Sequence, residues 1–264
     1  MKKKRSKNFI TGVSITGVML FFVVLGIFWT PYDPEAMDVS LKLAGISPAH
    51  IMGCDNFGRD IFSRVLKGSG TTLFVALGTV AVGTVFGIII GALTGYYGGI
   101  LDEILMRIID VLFAFPNILL ALVFISLLGS GKYNVIIALG IAFIPSFARI
   151  VRSEFIRCKN MDYIKSAKLA GASDLRIMFV HILPNTMTVL LSSIMIGFNN
   201  AVLAEAGMSY LGIGVQPPDA SLGRMLSEAQ SYLFSAPSYA IFPGVVLILM
   251  VLGVSLLAEG VKEN

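Results

Sequence analysis

Apolar residues in this 264-residue chain gather into long blocks rather than short alternating runs. A bilayer's hydrocarbon core, about 30 Å thick, needs roughly 20 predominantly apolar residues per helical crossing. Windows of that length predict six spans, at residues 9–30, 71–95, 108–129, 134–150, 186–204 and 239–258. The fourth is short, and bilayer thinning or snorkelling of Arg149 and Arg152 accommodates it. Pro116 in the third and Pro145 in the fourth each remove a helical hydrogen bond and predict kinks. The reading is an all-α integral membrane protein of about six transmembrane helices.

The polar stretches divide the chain into a basic N-terminus at 1–8, a first span at 9–30, an extracytoplasmic segment at 31–70 and a membrane domain at 71–264 with a basic loop at 149–185. The cluster Lys2, Lys3, Lys4, Arg5 and Lys7 resembles the start of a secretory signal. The apolar stretch after it exceeds a signal peptide's usual core, and no small-x-small site precedes Pro31, so an uncleaved anchor is expected. Six alternating spans with both termini inside put 14 of the 20 Lys and Arg residues on the inner side, seven of them in the fourth connection. Composition agrees: 56% hydrophobic and 14% charged, where soluble domains carry roughly a quarter charged residues, with mean hydropathy +0.83. The pI near 9.1 reports topology and gives no support for nucleic-acid binding.

Within the 31–70 segment, Ile61, Phe62, Val65 and Leu66 alternate with Arg59, Asp60, Arg64 and Lys67 at helical spacing. The pattern suits either a helix lying in the membrane interface or one that leads into the second span. Gly83, Gly87, Gly91 and Gly95 share one face of that span and admit a close backbone, inside the subunit or along a pore-lining or inter-subunit ridge. Asp110 and Glu205 are ionisable residues near span ends, where water is expected to reach them, with a structural role and a translocation role both open. Asn199 and Asn200 suit helix–helix hydrogen bonding or a lining of the path. His50 and His181 fall on opposite sides, which excludes a shared His-based metal site, and so do Cys54 and Cys158, which cannot pair. Gly129-Ser130-Gly131-Lys132 imitates a phosphate loop, but Tyr133 stands where Ser or Thr is required. No cofactor is expected.

In the 149–185 loop, Asp162 suits the N-cap of a short helix at 163–170, Gly171 its end, and Ser173 with Asp174 the start of another, with Pro184 as the stop before the fifth span. Two short helices make a docking projection; a basic stop-transfer loop fits the spacing equally well. The run Asp162-Tyr163-Ile164-Lys165-Ser166-Ala167-Lys168-Leu169-Ala170-Gly171, followed by His181-Ile182-Leu183-Pro184, resembles the Glu-Ala-Ala loop of ABC importer permeases. Ala167, Gly171, Leu183 and Pro184 keep the family offsets, while Lys165, Ser166 and His181 depart from it. His50-Ile51-Met52-Gly53-Cys54-Asp55, Gly58-Arg59-Asp60 and Ser63-Arg64 are similar to a segment of the peptide/nickel subfamily, with Cys54 in place of Thr. The stretch from Ala204 through Gly214 to Pro218 resembles that subfamily's fifth-span exit.

This resemblance implies a type I importer permease fold and no nucleotide site of the chain's own. It implies a coupling helix for an ATPase, carried by Asp162, Tyr163, Lys165, Ser166, Ala167, Gly171, Ala172, Ser173, Leu175 and Arg176. The partners it implies are a second homologous permease, two cytosolic ATPases and an extracytoplasmic solute-binding protein, all in a cell (inner) membrane with its lipid. The cargo would be di- or oligopeptides, nickel or metal chelates, and Met208 leans toward nickel-type members. Asn199, Asn200, Glu205 and Met208 are the candidates for the translocation path. The alternative is a proton- or ion-coupled secondary transporter, which would show inverted repeats and a buried ionisable relay.

Overall fold

The computed structural model describes residues 7–263; Lys2, Lys3, Lys4 and Arg5 of the basic N-terminus lie outside them. The described residues form helices α1 (Lys7–Phe28), α2 (Ile61–Tyr97), α3 (Gly99–Phe113), α4 (Asn117–Leu128), α5 (Lys132–Lys159), α6 (Asp162–Leu169), α7 (Asp174–Arg176), α8 (Leu183–Tyr210), α9 (Leu222–Ala229) and α10 (Ser238–Glu263). Among the described residues five helical runs are long and apolar enough to cross a membrane, and the bent pair α3–α4 raises the number to six if it counts as one span.

The second span differs from its expected form. Asp60 caps α2, its carboxylate accepting from the Ser63 amide at 2.8 Å and the Ser63 hydroxyl at 2.7 Å, and the helix then runs unbroken for 37 residues. At 1.5 Å per residue that is roughly 55 Å, well beyond the hydrocarbon thickness. Ile61, Val65 and Leu66 are buried in the protein, so this stretch is the lead-in to the span and does not lie in the membrane interface.

The third span is broken rather than kinked: α3 and α4 meet at 92°. Pro116 has no amide proton and disfavours helical geometry at Phe115, so the chain leaves one helix and restarts at Asn117. In α5 the helix instead continues through Pro145 and extends past the expected end to Lys159.

Helices in lipid associate by close packing, and the glycine row supplies it. The row faces α5: a Cβ on Gly91 would stand 2.5 Å from the Ala148 carbonyl oxygen, one on Gly95 2.7 Å from that of Arg152, and one on Gly87 would overlap Phe147. On its other side Phe147 fills the notch at Gly197, where a Cβ would be 2.6 Å from its ring, so α5 is wedged between α2 and α8. Along α1 and α10, Gly12, Gly253 and Gly260 bring the first and last spans together in the same way. The main core joins α2, α5, α8 and α10 through Val75, Leu139, Phe143, Met208 and Tyr239.

Candidate functional site

The 149–185 loop forms an elbow of α6, α7 and a wide helical turn at Ile177–Ile182 with π-type spacing. Helix α6 begins one residue before its expected start. Met161 is the capping residue, and the Asp162 side chain turns instead to Lys165 Nζ at 2.9 Å. That hydrogen bond, with the lysine's charge, holds the Asp162 carboxyl below the usual carboxylate range. Gly171 ends the helix at φ +82°, a left-handed geometry that glycine adopts without strain. Pro184 does not stop the following helix. The wide turn rearranges the hydrogen-bond ladder ahead of the proline, and the helical run continues from Asp174 to Tyr210.

A second core anchors the elbow. Ile164, Ile177, Met178 and Ile182 pack with Tyr96 of α2 and Val151, Phe155 and Cys158 of α5. The Tyr96 hydroxyl donates to Asp174 at 2.6 Å, and Lys159 Nζ donates to the Tyr96 carbonyl. Arg152 clamps Asp102 of α3 with two bonds of 2.6 Å, and Arg149 pairs with Asp110 at 2.6 Å while lying 3.9 Å over the Phe113 ring. Bidentate and stacked guanidinium contacts are directional, so they fix α3, α5 and the end of α2 as a frame under the elbow. Asp110 is thus half of an ion pair between helices.

Of the ten expected coupling residues, Asp162, Tyr163, Lys165, Ser166, Gly171, Ser173, Leu175 and Arg176 are exposed, and Ala167 and Ala172 half-buried. Although the Tyr163 ring is exposed, partial loss of water around its hydroxyl, followed by the neighbouring Cys158, raises its phenol, whose oxygen accepts from Asn185 at 3.3 Å. Leu169, absent from the expected set, is 90% exposed and Leu175 63%, the two most exposed apolar side chains of an elbow that also leaves Val180 and Phe179 partly uncovered. Their mark in the sequence is leucine beside charge, Leu169 after Lys168 and Leu175 between Asp174 and Arg176.

The four expected path residues separate. Asn199 turns to α10, donating to the Ser255 hydroxyl at 2.8 Å. Glu205 is completely buried rather than reached by water, with the Ser209 hydroxyl donating to it at 2.7 Å. The cause lies in the loop after α8, which folds back over this turn: the Val215 amide donates to Ser209 Oγ at 3.0 Å. Met208 is equally buried in the main core. Asn200 alone of the four is exposed, and it lines clefts between α4, α5 and α8.

At the opposite end, the 31–60 segment is knit to the bundle by charges that helical spacing could not reveal. The Phe57 and Arg59 amides donate to Asp55 at 2.8 and 3.0 Å, and Arg59 Nε reaches the same carboxylate at 2.6 Å. Glu228 of α9 receives Arg59 at 3.0 Å, Arg64 at 3.3 Å, Arg224 at 3.1 Å and the Tyr239 hydroxyl at 2.9 Å. His50 contacts Asp60 at 2.9 Å and stacks on Tyr32. Gly58, at φ +75°, passes so close to the Asp38 carbonyl that no side chain fits. Lys132 of the false phosphate loop pairs with Asp219 at 2.9 Å.

Comparison with known proteins accounts for this architecture. Residues 83–263 match the family described as "Binding-protein-dependent transport system inner membrane component". The chain is 41% identical over 252 residues to the glutathione transport system permease protein GsiD of Pectobacterium atrosepticum, covering 94% of this chain and 84% of that one. It is 35% identical over 266 residues to the dipeptide transport system permease protein DppC of Haemophilus influenzae, covering 98% and 90%. The MetNI methionine ABC transporter in an inward-facing crystal form shares the fold, with TM-score 0.62 and 19% identity over 75% of this chain and 95% of that one. The secondary-transporter alternative finds no support in these likenesses. A helical membrane bundle with an anchored elbow, matched in sequence over nearly its whole length by transport permeases, is what such a family requires: the chain belongs to the binding-protein-dependent transport system inner membrane components, the permease subunits of ABC importers.

Proposed function

We propose that the chain forms one half of the path through which an ATP-driven importer brings in short peptides, and that its elbow docks on a separate ATPase. The observation that carries the coupling role is the pair of apolar tips, Leu169 and Leu175, held out on a projection whose other face is buried through Ile164, Ile177 and Met178. Such tips are poorly placed in water and well placed in a partner's cleft. The elbow side is then cytosolic, a placement supported by the excess of Lys and Arg there, with both termini on that side. A homologous second permease completes the path, two ATPases supply the driving force, and an extracytoplasmic binding protein delivers cargo to the side carrying the 31–60 segment.

ATP favours one arrangement of the ATPase pair, and its differential binding to the two arrangements shifts the path between outward-open and inward-open states. Because the helical run from Asp174 to Tyr210 is continuous, motion at the elbow reaches the membrane helix directly. Peptides as cargo are supported by the names of the dipeptide and glutathione permeases that resemble the chain. Met208, buried in the core, offers nothing toward a nickel preference. Deleting residues 162–176 tests the reading: the truncated chain should still insert in the membrane but should recover no ATPase in a pull-down from its native complex. Undiminished ATPase recovery contradicts it.

A further inference from the structure

Two membrane-depth faces of the bundle differ sharply in chemistry. Between α1, α2, α8 and α10 lies a cleft of about 400 Å³ lined by Met19, Leu73, Leu77, Phe198 and Met250, apolar almost throughout and suited to acyl chains. Between α4, α5 and α8 lie two adjoining clefts of about 120 and 330 Å³ that share Asn117, Phe143 and Asn200, and the smaller one adds Ser146 and Ser193. Asn117 opens α4, where the 92° break delivers it, and Ser193 and Asn200 sit two turns apart on one face of α8. Among the described residues the side-chain amides of Asn117 and Asn200 have no hydrogen-bond partner, whereas the adjacent Asn199 turns away from the clefts and donates through Nδ2 to Ser255, its Oδ1 buried without a partner. Unpaired amides facing hydrocarbon are costly enough that such a face is covered by water or protein.

We propose that Asn117, Ser146, Ser193 and Asn200, set around Phe143, form the water-facing wall of the cargo route and meet the cargo through uncharged amide and hydroxyl groups, the chemistry that pairs with peptide backbone. The proposal rests on the permease reading above and adds the wall and its mode of recognition. It replaces Glu205 and Met208, which lie buried behind the wall, with residues of three separate helices. Ser193 and Asn200 ride on the helix that continues from the elbow, so a displacement there alters the wall.

The native chain has two cysteines, both buried, and therefore suits cysteine-accessibility mapping. Asn200→Cys and Ser193→Cys are introduced singly in cells where the chain works with its own partner subunits, with exposed Ile248→Cys on α10 as the lipid-face control. Intact cells and inverted vesicles receive 2-sulfonatoethyl methanethiosulfonate, with and without dialanine or S-methylglutathione. Because the reagent needs a hydrated thiolate, both path variants should label from at least one side at least about tenfold faster than the control. Either peptide should slow that labelling severalfold. Labelling as slow as the control, or labelling that neither peptide affects, in variants that retain peptide uptake overturns the wall. Failure of the underlying reading looks different: peptide uptake by the unmutated cells would then survive deletion of residues 162–176.

Discussion

Glu228 lies far in sequence from the arginines that depend on it, and Glu228→Gln isolates that dependence. The substitution keeps the shape and one acceptor oxygen but removes the charge facing Arg59, 5% exposed, and Arg64, 1% exposed. Asp55 alone then faces both guanidiniums, and a neutral buried set of two carboxylates and two guanidiniums becomes a set with net charge +1. A buried hydrogen bond to a charged group is worth about 1.5–3 kcal/mol, and breaking a buried ion pair on one side costs about 3–5 kcal/mol. The more exposed contact with Arg224 adds little. With two contacts to Arg59 and Arg64 affected, the expected loss is about 3–5 kcal/mol, a fall in the apparent melting midpoint on the order of 10 °C for a chain of this size. Fluorescence-detected size-exclusion chromatography of heated, detergent-solubilised protein measures it. Replacing both partners, Glu228→Leu with Arg64→Met, should recover part of the loss, because no uncompensated charge then remains at that pair. A midpoint for Glu228→Gln within about 1 °C of the unmutated protein refutes the account of the network.

Three further outcomes follow from the same geometry. Burial, then the charges of Asp60, Asp55 and Asp38, pushes the Cys54 thiol up to about 11 from an ordinary 9.0, so the neutral form persists and alkylation at pH 7.5 should be about a hundredfold slower than for a free thiol. The contribution of the neutral thiol to stability is present below pH 9 and is lost as pH rises through about 11; rapid labelling of the folded protein at pH 7.5 counts against it. Gly91→Leu forces a side chain against the Ala148 carbonyl and Val151 and should abolish the monodisperse folded peak, while Gly17→Ala, with open space around it, should leave that peak intact. Ile164→Ala removes the main anchor of α6, at a local cost of about 2–5 kcal/mol, and should make the elbow sensitive to limited proteolysis without dispersing the membrane helices.

Hydropathy windows found the five long apolar helices, though not the break in the third span, because length and polarity are local properties. The end of α6 was equally legible, since Gly171 serves a backbone angle that few other residues tolerate. Pro116 announced a departure from the helix but not its size, which depends on how α3 and α4 each dock on α5. Pro184 misled because the wide turn ahead of it absorbs the missing amide, a rearrangement without a sequence marker. Glu205 sits near the end of its span in sequence yet is sealed by the folded-back loop after α8, and Arg59 meets its partner Glu228 across 169 positions. Such long-range meetings leave no periodicity in the chain. Among the expected path residues only Asn200 faces a cleft, because adjacent positions on a helix point about 100° apart and Asn199 is turned toward α10.

The central claim, that the elbow transmits ATPase motion to the membrane helices, is tested most directly by crosslinking from Leu169→Cys. The side chain at this position is 90% exposed and contributes little to the fold, and the native cysteines are buried. A short bifunctional thiol crosslinker applied to the native complex in inverted vesicles should give an adduct with the ATP-binding subunit whose yield changes when ATP is added. An adduct with no ATP-binding subunit, or modification of Leu169→Cys by an impermeant reagent added outside intact cells, contradicts the account.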